Sequence, residues 1–157
     1  MKKFLFLCFV IVMLVSGCSK NTKETNENTE SIPNEHKEIL VGIANDLNAS
    51  SDNYSMESIT SNVLSGSSYY IQFPEDYYIQ VFIYDTKEAA DDDLSCLSNN
   101  GSVYTKNDGD MTISTSVDWV STPHFFQEDH VIILYVGNDQ DILEQLTNYY
   151  DSHKITK

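Results

Sequence analysis

The chain reads as an α+β protein: a single domain built on an antiparallel sheet of about five strands, with helices packed on one face. Three observations predict this. The stretch "SYYIQFPEDYYIQVFIYD" alternates with period two on both sides of Pro74-Glu75-Asp76, as a hairpin does. Four other stretches place apolar residues at helical spacing, and they are interleaved with the strands rather than segregated from them. "VIILYV" (Val131 to Val136) is apolar on both sides, which marks it as the expected most buried strand.

The elements follow in order from residue 34. In "NEHKEILVGIANDLN", Leu40, Ile43, Ala44 and Leu47 share one helical face, with Asn34 as the expected cap. "YSMESITSNVLSGSS" spaces Met56, Ile59 and Val63 as a helix would, so a short helix leading into a strand is expected there. In the hairpin, Tyr69, Ile71, Phe73, Tyr77, Ile79, Val81 and Ile83 point one way, and Tyr70, Gln72, Tyr78, Gln80, Phe82 and Tyr84 the other. "DTKEAADDDLSCLSNNG" is a helix with a buried stripe of Ala90, Leu94 and Leu97. Asp85 and Glu88 have capping-box spacing, and Gly101 is the expected left-handed stop. "SVYTKNDGDMTISTSVDWV" is a second hairpin with Asn107-Asp108-Gly109 at its tip. Its second strand sets Met111, Ile113, Val117 and Trp119 against Thr112, Ser114, Ser116 and Asp118. "HFFQEDHVIILYVG" gives two strands around Glu128-Asp129. The closing helix is capped by Asp139 and turns Ile142, Leu143, Leu146 and Tyr150 inward.

Charge narrows the partners. The 157 residues carry 24 acidic and 9 basic side chains, a net charge of −15, and every basic residue is Lys. Arg is the usual bidentate clamp for phosphate. A chain this acidic and without Arg is a poor ligand for nucleic acid, whose affinity comes from neutralised phosphates. It is also repelled by anionic headgroups, so any hold on a membrane must come from something other than charge.

That hold is legible at the start of the chain. Lys2 and Lys3 precede an unbroken apolar run, Phe4 to Val15, followed by the small residues Ser16 and Gly17 and then Cys18. The run is too short for a spanning helix, which needs about 20 residues, and it has the three-part layout of a secretory signal peptide. Val15-Ser16-Gly17-Cys18 resembles the lipobox of bacterial lipoproteins. The resemblance implies a diacylglyceryl group with palmitate-type chains on the Cys18 sulfur, cleavage before Cys18, and a lipid-anchored protein on the extracytoplasmic side of the cell membrane. Two acyl chains anchor stably where one is marginal. The chain then divides into a signal peptide (1–17), a tether (18–33) and the α+β domain (34–157). "SKNTKETNENTESIPNE" has one aliphatic residue, Ile32, and is expected to be disordered, with a mean reach of about 20 Å. The last strand and helix resemble those of small Gram-positive lipoproteins without an assigned activity, which implies no chemistry. Of the 3 cysteines, only Cys96 falls in the domain, so no intrachain disulfide is available there.

Catalytic signatures are sparse. His124, His130 and Asp129 could meet at a zinc ion, but ligand spacing is missing. "NDGD" and "NDQD" group short oxygen-bearing side chains, yet neither matches a calcium loop, and a turn and a helix cap explain both. Cys96 lies among acids that raise rather than lower a thiol pKa, and no Gly-x-Ser-x-Gly elbow or phosphate-binding glycine loop occurs. No catalytic residue, cofactor or metal ligand is assigned. The expected function is a non-catalytic binding or interaction domain for a protein, peptide or glycan; the alternative is a surface hydrolase or metal-binding protein. The candidate binding face is Tyr70, Gln72, Tyr78, Gln80 and Tyr84, extended by Thr112, Ser114, Ser116 and Asp118, since Tyr offers a stiff contact area with a polar tip. This face is open if the helices cover only the other side, and merely part of the core if one of them covers it too.

Overall fold

The computed structural model describes residues 31–47, 49, 53–61, 63–74 and 77–153. The signal peptide, Cys18 and most of the tether lie outside them. The elements are α1 (Asn34–Asp46), β1 (Ser55–Ile59), β2 (Ser67–Gln72), β3 (Tyr78–Ile83), α2 (Lys87–Ser95), β4 (Val103–Asp108), β5 (Met111–Ser116), β6 (Pro123–Glu128), β7 (Val131–Val136), α3 (Gln140–Tyr149) and β8 (Asp151–His153). The fold is α+β. Its main sheet is antiparallel throughout and has the order β1-β2-β3-β7-β6-β8, with β4 and β5 paired apart from it as a two-stranded sheet. The sixth strand is the three-residue β8 at one edge. As the sequence predicts, β7 is deeply buried along its first five residues, and the sheet order places it between β3 and β6.

Both faces of the sheet are covered. On one, Leu40, Ile43, Ala44 and Leu47 of the α1 region, with Leu146 and Tyr150 of the α3 region, pack on Ile71, Ile79, Val81 and Ile133. On the other, Ala90 and Leu94 of α2 and Tyr104 of β4 pack on Phe82, Phe125, Ile132 and Leu134. The expectation of helices on one face therefore holds for α1 and α3 and is corrected for α2. The strand Ile79 to Ile83 is buried along its whole length, so either face of β3 can take a covering helix.

Local signals are refined at several points. Residues 55–59 form a strand, not a helix. Backbone bonds to β2 outweigh a helical spacing built mostly of Ser and Thr. Pro33, not Asn34, precedes the first turn of α1, a position its fixed φ suits. In α2 the cap is Thr86, whose Oγ1 accepts from the Ala89 amide at 3.2 Å, one residue inside the expected Asp85. The helix ends at Ser95, and Gly101 (φ 69°) instead closes the turn that launches β4. Asp139 caps α3 as the sequence predicts, accepting from the amides of Asp141 and Ile142.

Candidate binding cleft

The sheet face under α2 and the β4–β5 hairpin is only partly covered. Tyr70, Gln80 and Leu134 are cross-strand neighbours on β2, β3 and β7, and with Tyr78 and Val136 they floor a half-open cleft of about 460 Å³. One wall is the chain leaving β5, from Thr115 to Val120. The other is the turn after β1, with Thr60, Ser61 and Val63. Volume and mixed lining fall in the usual range for a small-ligand site.

Each part is held for an identifiable reason. The β5 exit is tied down by the Val117 amide donating to the Ser102 carbonyl (2.8 Å) and by the Trp119 indole N–H donating to the Gly101 carbonyl (3.0 Å). Trp119 also packs edge-on against Phe125, with ring centres 6.3 Å apart. Tyr70 and Tyr78 meet edge to face at 4.8 Å. Burial, then the neighbouring Tyr78 and Glu57, push the Tyr70 hydroxyl pKa up, so it remains a protonated donor. Asp118 is the one charged side chain among the described residues lining the cleft.

Gly101 is where wall and core meet. Its φ of 69° suits glycine, and a Cβ there would come within 2.9 Å of the Phe125 ring. Gly101→Ala is expected to cost about 2 kcal/mol from the left-handed backbone alone. It should also shift the emission of Trp119, whose indole bonds this carbonyl. Urea denaturation followed by intrinsic fluorescence checks both.

Behind the wall lies Asp93, the one charged side chain buried among the described residues. Its carboxylate accepts three bonds of 2.6 Å, from the Ser65 amide, the Tyr84 hydroxyl and the Tyr104 hydroxyl. Burial pushes its pKa up. The hydrogen bonds from Tyr104, Tyr84 and Ser65 pull it down and prevail, so the carboxyl sits below the ordinary aspartate value. Burial, and then the bond to Asp93, raise the pKa of both tyrosines. This centre joins the loop before β2, the end of β3, α2 and β4, and so fixes the hairpin against the sheet. Sequence reading passes over it, although helical spacing puts Asp93 on the stripe of Ala90, Leu94 and Leu97; what the spacing does not show is that Tyr84, Tyr104 and the Ser65 amide converge there to satisfy a buried carboxylate.

No protein-family model, curated protein or solved structure matches the chain. The site therefore rests on geometry.

That geometry splits the face expected from the sequence. Tyr70, Tyr78 and Gln80 converge in the cleft. Gln72 stands apart, its amide donating to the Phe73 and Tyr77 carbonyls as a clamp on the hairpin turn. Tyr84 is buried, bonded to Asp93. Thr112 and Ser114 do not extend the face. They sit on the separate hairpin, bonded to Asn107 (2.8 Å) and Thr105 (3.2 Å). Ser116 and Asp118 do reach the cleft, as wall rather than floor. Trp119 and Val120 join them; period-two reading placed Trp119 with the apolar face and left Val120 unassigned.

The other candidate groups have local roles. His124 Nε2 bonds the Gly137 carbonyl at 3.0 Å, and His130 Nδ1 bonds Asp129 at 2.9 Å. The Cys96 thiol donates to the Asp92 carbonyl at 3.4 Å. Among the described residues no group of three or more His, Cys, Asp or Glu is arranged to hold a metal ion, and no helix is long and apolar enough to cross a membrane.

Proposed function

We propose that this protein is a lipid-tethered, extracytoplasmic binding domain that presents the cleft of Tyr70, Tyr78 and Gln80 to a ligand without transforming it. The observation that carries the binding role is the convergence of two tyrosines and a buried amide on one half-open, mostly uncharged cleft. The tether is supported by the Val15-Ser16-Gly17-Cys18 sequence after a short apolar run. Acidity keeps the domain off anionic headgroups, so the acyl chains supply the anchorage and the polar stretch after Cys18 supplies the reach.

Cys18→Ser tests the address. In a bacterial host fed labelled palmitate, the parent protein is expected in the membrane fraction with label attached. The variant is expected to lose the label and leave that fraction. Persistence of a labelled, membrane-bound variant would refute the tether.

A further inference from the structure

The cleft also constrains what enters it. We propose that its ligand is a neutral saccharide, a short pyranose chain whose ring packs on Tyr78 and Tyr70 and whose hydroxyls bond the Gln80 amide. This rests on the binding role argued above.

The first observation is Gln80. It is only 8 % exposed, its amide makes no side-chain hydrogen bond among the described residues, and its polar atoms are not among the fully buried unpaired ones, so the amide tip reaches the cleft. It sits in mid-sheet between Tyr70 and Leu134. A position that needed only filling would take an aliphatic residue, as Leu134 does one strand away, whereas an amide whose tip meets the cleft without a protein partner is left for a ligand. An amide offers a donor and an acceptor side by side. Vicinal sugar hydroxyls present the complementary pair.

The second is charge. Asp118 is the one charged side chain among the described residues lining the cleft, Glu57 is the cross-strand neighbour of Tyr70, and the chain has no Arg. Phosphate, sulfate and carboxylate ligands are repelled. The third is the pairing of apolar and hydroxylated surface. Tyr78 is 43 % exposed and Val120 93 %, surfaces on which the C–H face of a sugar ring can lie. Thr60, Ser61, Thr115 and Ser116 stand around them to meet its hydroxyls. The fourth separates a sugar from a peptide. The floor belongs to β2, β3 and β7, each paired on both sides, so no free backbone edge is offered to an extended chain.

The test uses the full-length lipidated protein in a detergent without a sugar headgroup, titrated with maltotriose, cellotriose and triacetylchitotriose. Trp119 is the only tryptophan in the sequence and reports from the cleft wall. The expected result is a saturable change in its emission with at least one trisaccharide, with Kd at or below about 1 mM. Gln80→Leu is expected to weaken that binding by about tenfold or more and to leave the unfolding midpoint unchanged or raised, because no hydrogen bond within the protein is lost and apolar area is gained. Tyr78→Ala should weaken binding similarly. Silence with all three sugars up to about 10 mM overturns the proposal. So does sugar binding that neither variant alters, a response to an extended neutral peptide but to no sugar, or a lowered midpoint in Gln80→Leu, which would make the amide structural. None of these outcomes touches the tether, which stands or falls on Cys18→Ser.

Discussion

Asp93→Asn is expected to lower stability by about 3 kcal/mol, because three donors, two of them buried tyrosine hydroxyls, lose the anion they were arranged around. The side chain keeps its shape, so packing is nearly unchanged. Its amide oxygen can still accept from some of the three. Its NH₂ group then faces a donor, so at least one of the Tyr84 hydroxyl, the Tyr104 hydroxyl and the Ser65 amide loses the acceptor for its proton. Urea denaturation at neutral pH measures the loss; equal stability of parent and variant would refute the account. The same centre sets a pH dependence. The folded carboxyl titrates below the ordinary aspartate value, so its contribution is complete above about pH 4 and is lost as the pH falls through the lowered folded value. The gap between parent and Asp93→Asn should therefore narrow in acid. The tyrosines act in the opposite sense. Tyr84, Tyr104 and Tyr150 have folded values raised by burial and by Asp93 or Asp46. Their contribution is complete below about pH 10 and is lost as the pH climbs beyond it. Tyrosinate absorbance should show these three ionising together with unfolding.

Phe82→Ala is expected to cost about 4 kcal/mol, the range for emptying a fully buried aromatic site. Phe82 is 0 % exposed and packs among Leu64, Leu94, Phe125 and Ile132 under α2. Ile113→Ala, at a position 52 % exposed on the β4–β5 hairpin, should change stability by less than about 0.5 kcal/mol. The pair reverses what alternation alone suggests. Phe82 falls on the side of β3 that carries Tyr78, Gln80 and Tyr84, whereas Ile113 falls on the apolar side of β5. Chemical denaturation of both variants decides. A mild Phe82→Ala would mean that α2 does not seal this face.

These two sites bear on function as well as stability. Asp93 fixes the hairpin to the sheet, and Phe82 fills the covered end of the face whose uncovered end holds Tyr70, Tyr78 and Gln80. Loosening either should move the wall of the cleft relative to its floor.

The amino-acid order was enough to read the α+β class, the two long hairpins, the buried strand β7, the inward faces of α1 and α3 and the Asp139 cap. Each is written in local periodicity or in a single capping contact, and such signals involve residues close in sequence. It also carries the proposal of a lipidated Cys18, which needs no fold at all. Tertiary structure decided which side of β3 is covered, that residues 55–59 pair as an edge strand, and that Tyr84 and Gln72 leave the candidate face while Trp119 and Val120 join it. The physical reason is that period two separates a strand's faces without saying what lies over either. When both faces are apolar or aromatic, as in "YYIQVFIY", only the path of the chain between β3 and β6 determines which end is sealed by α2 and which stays open.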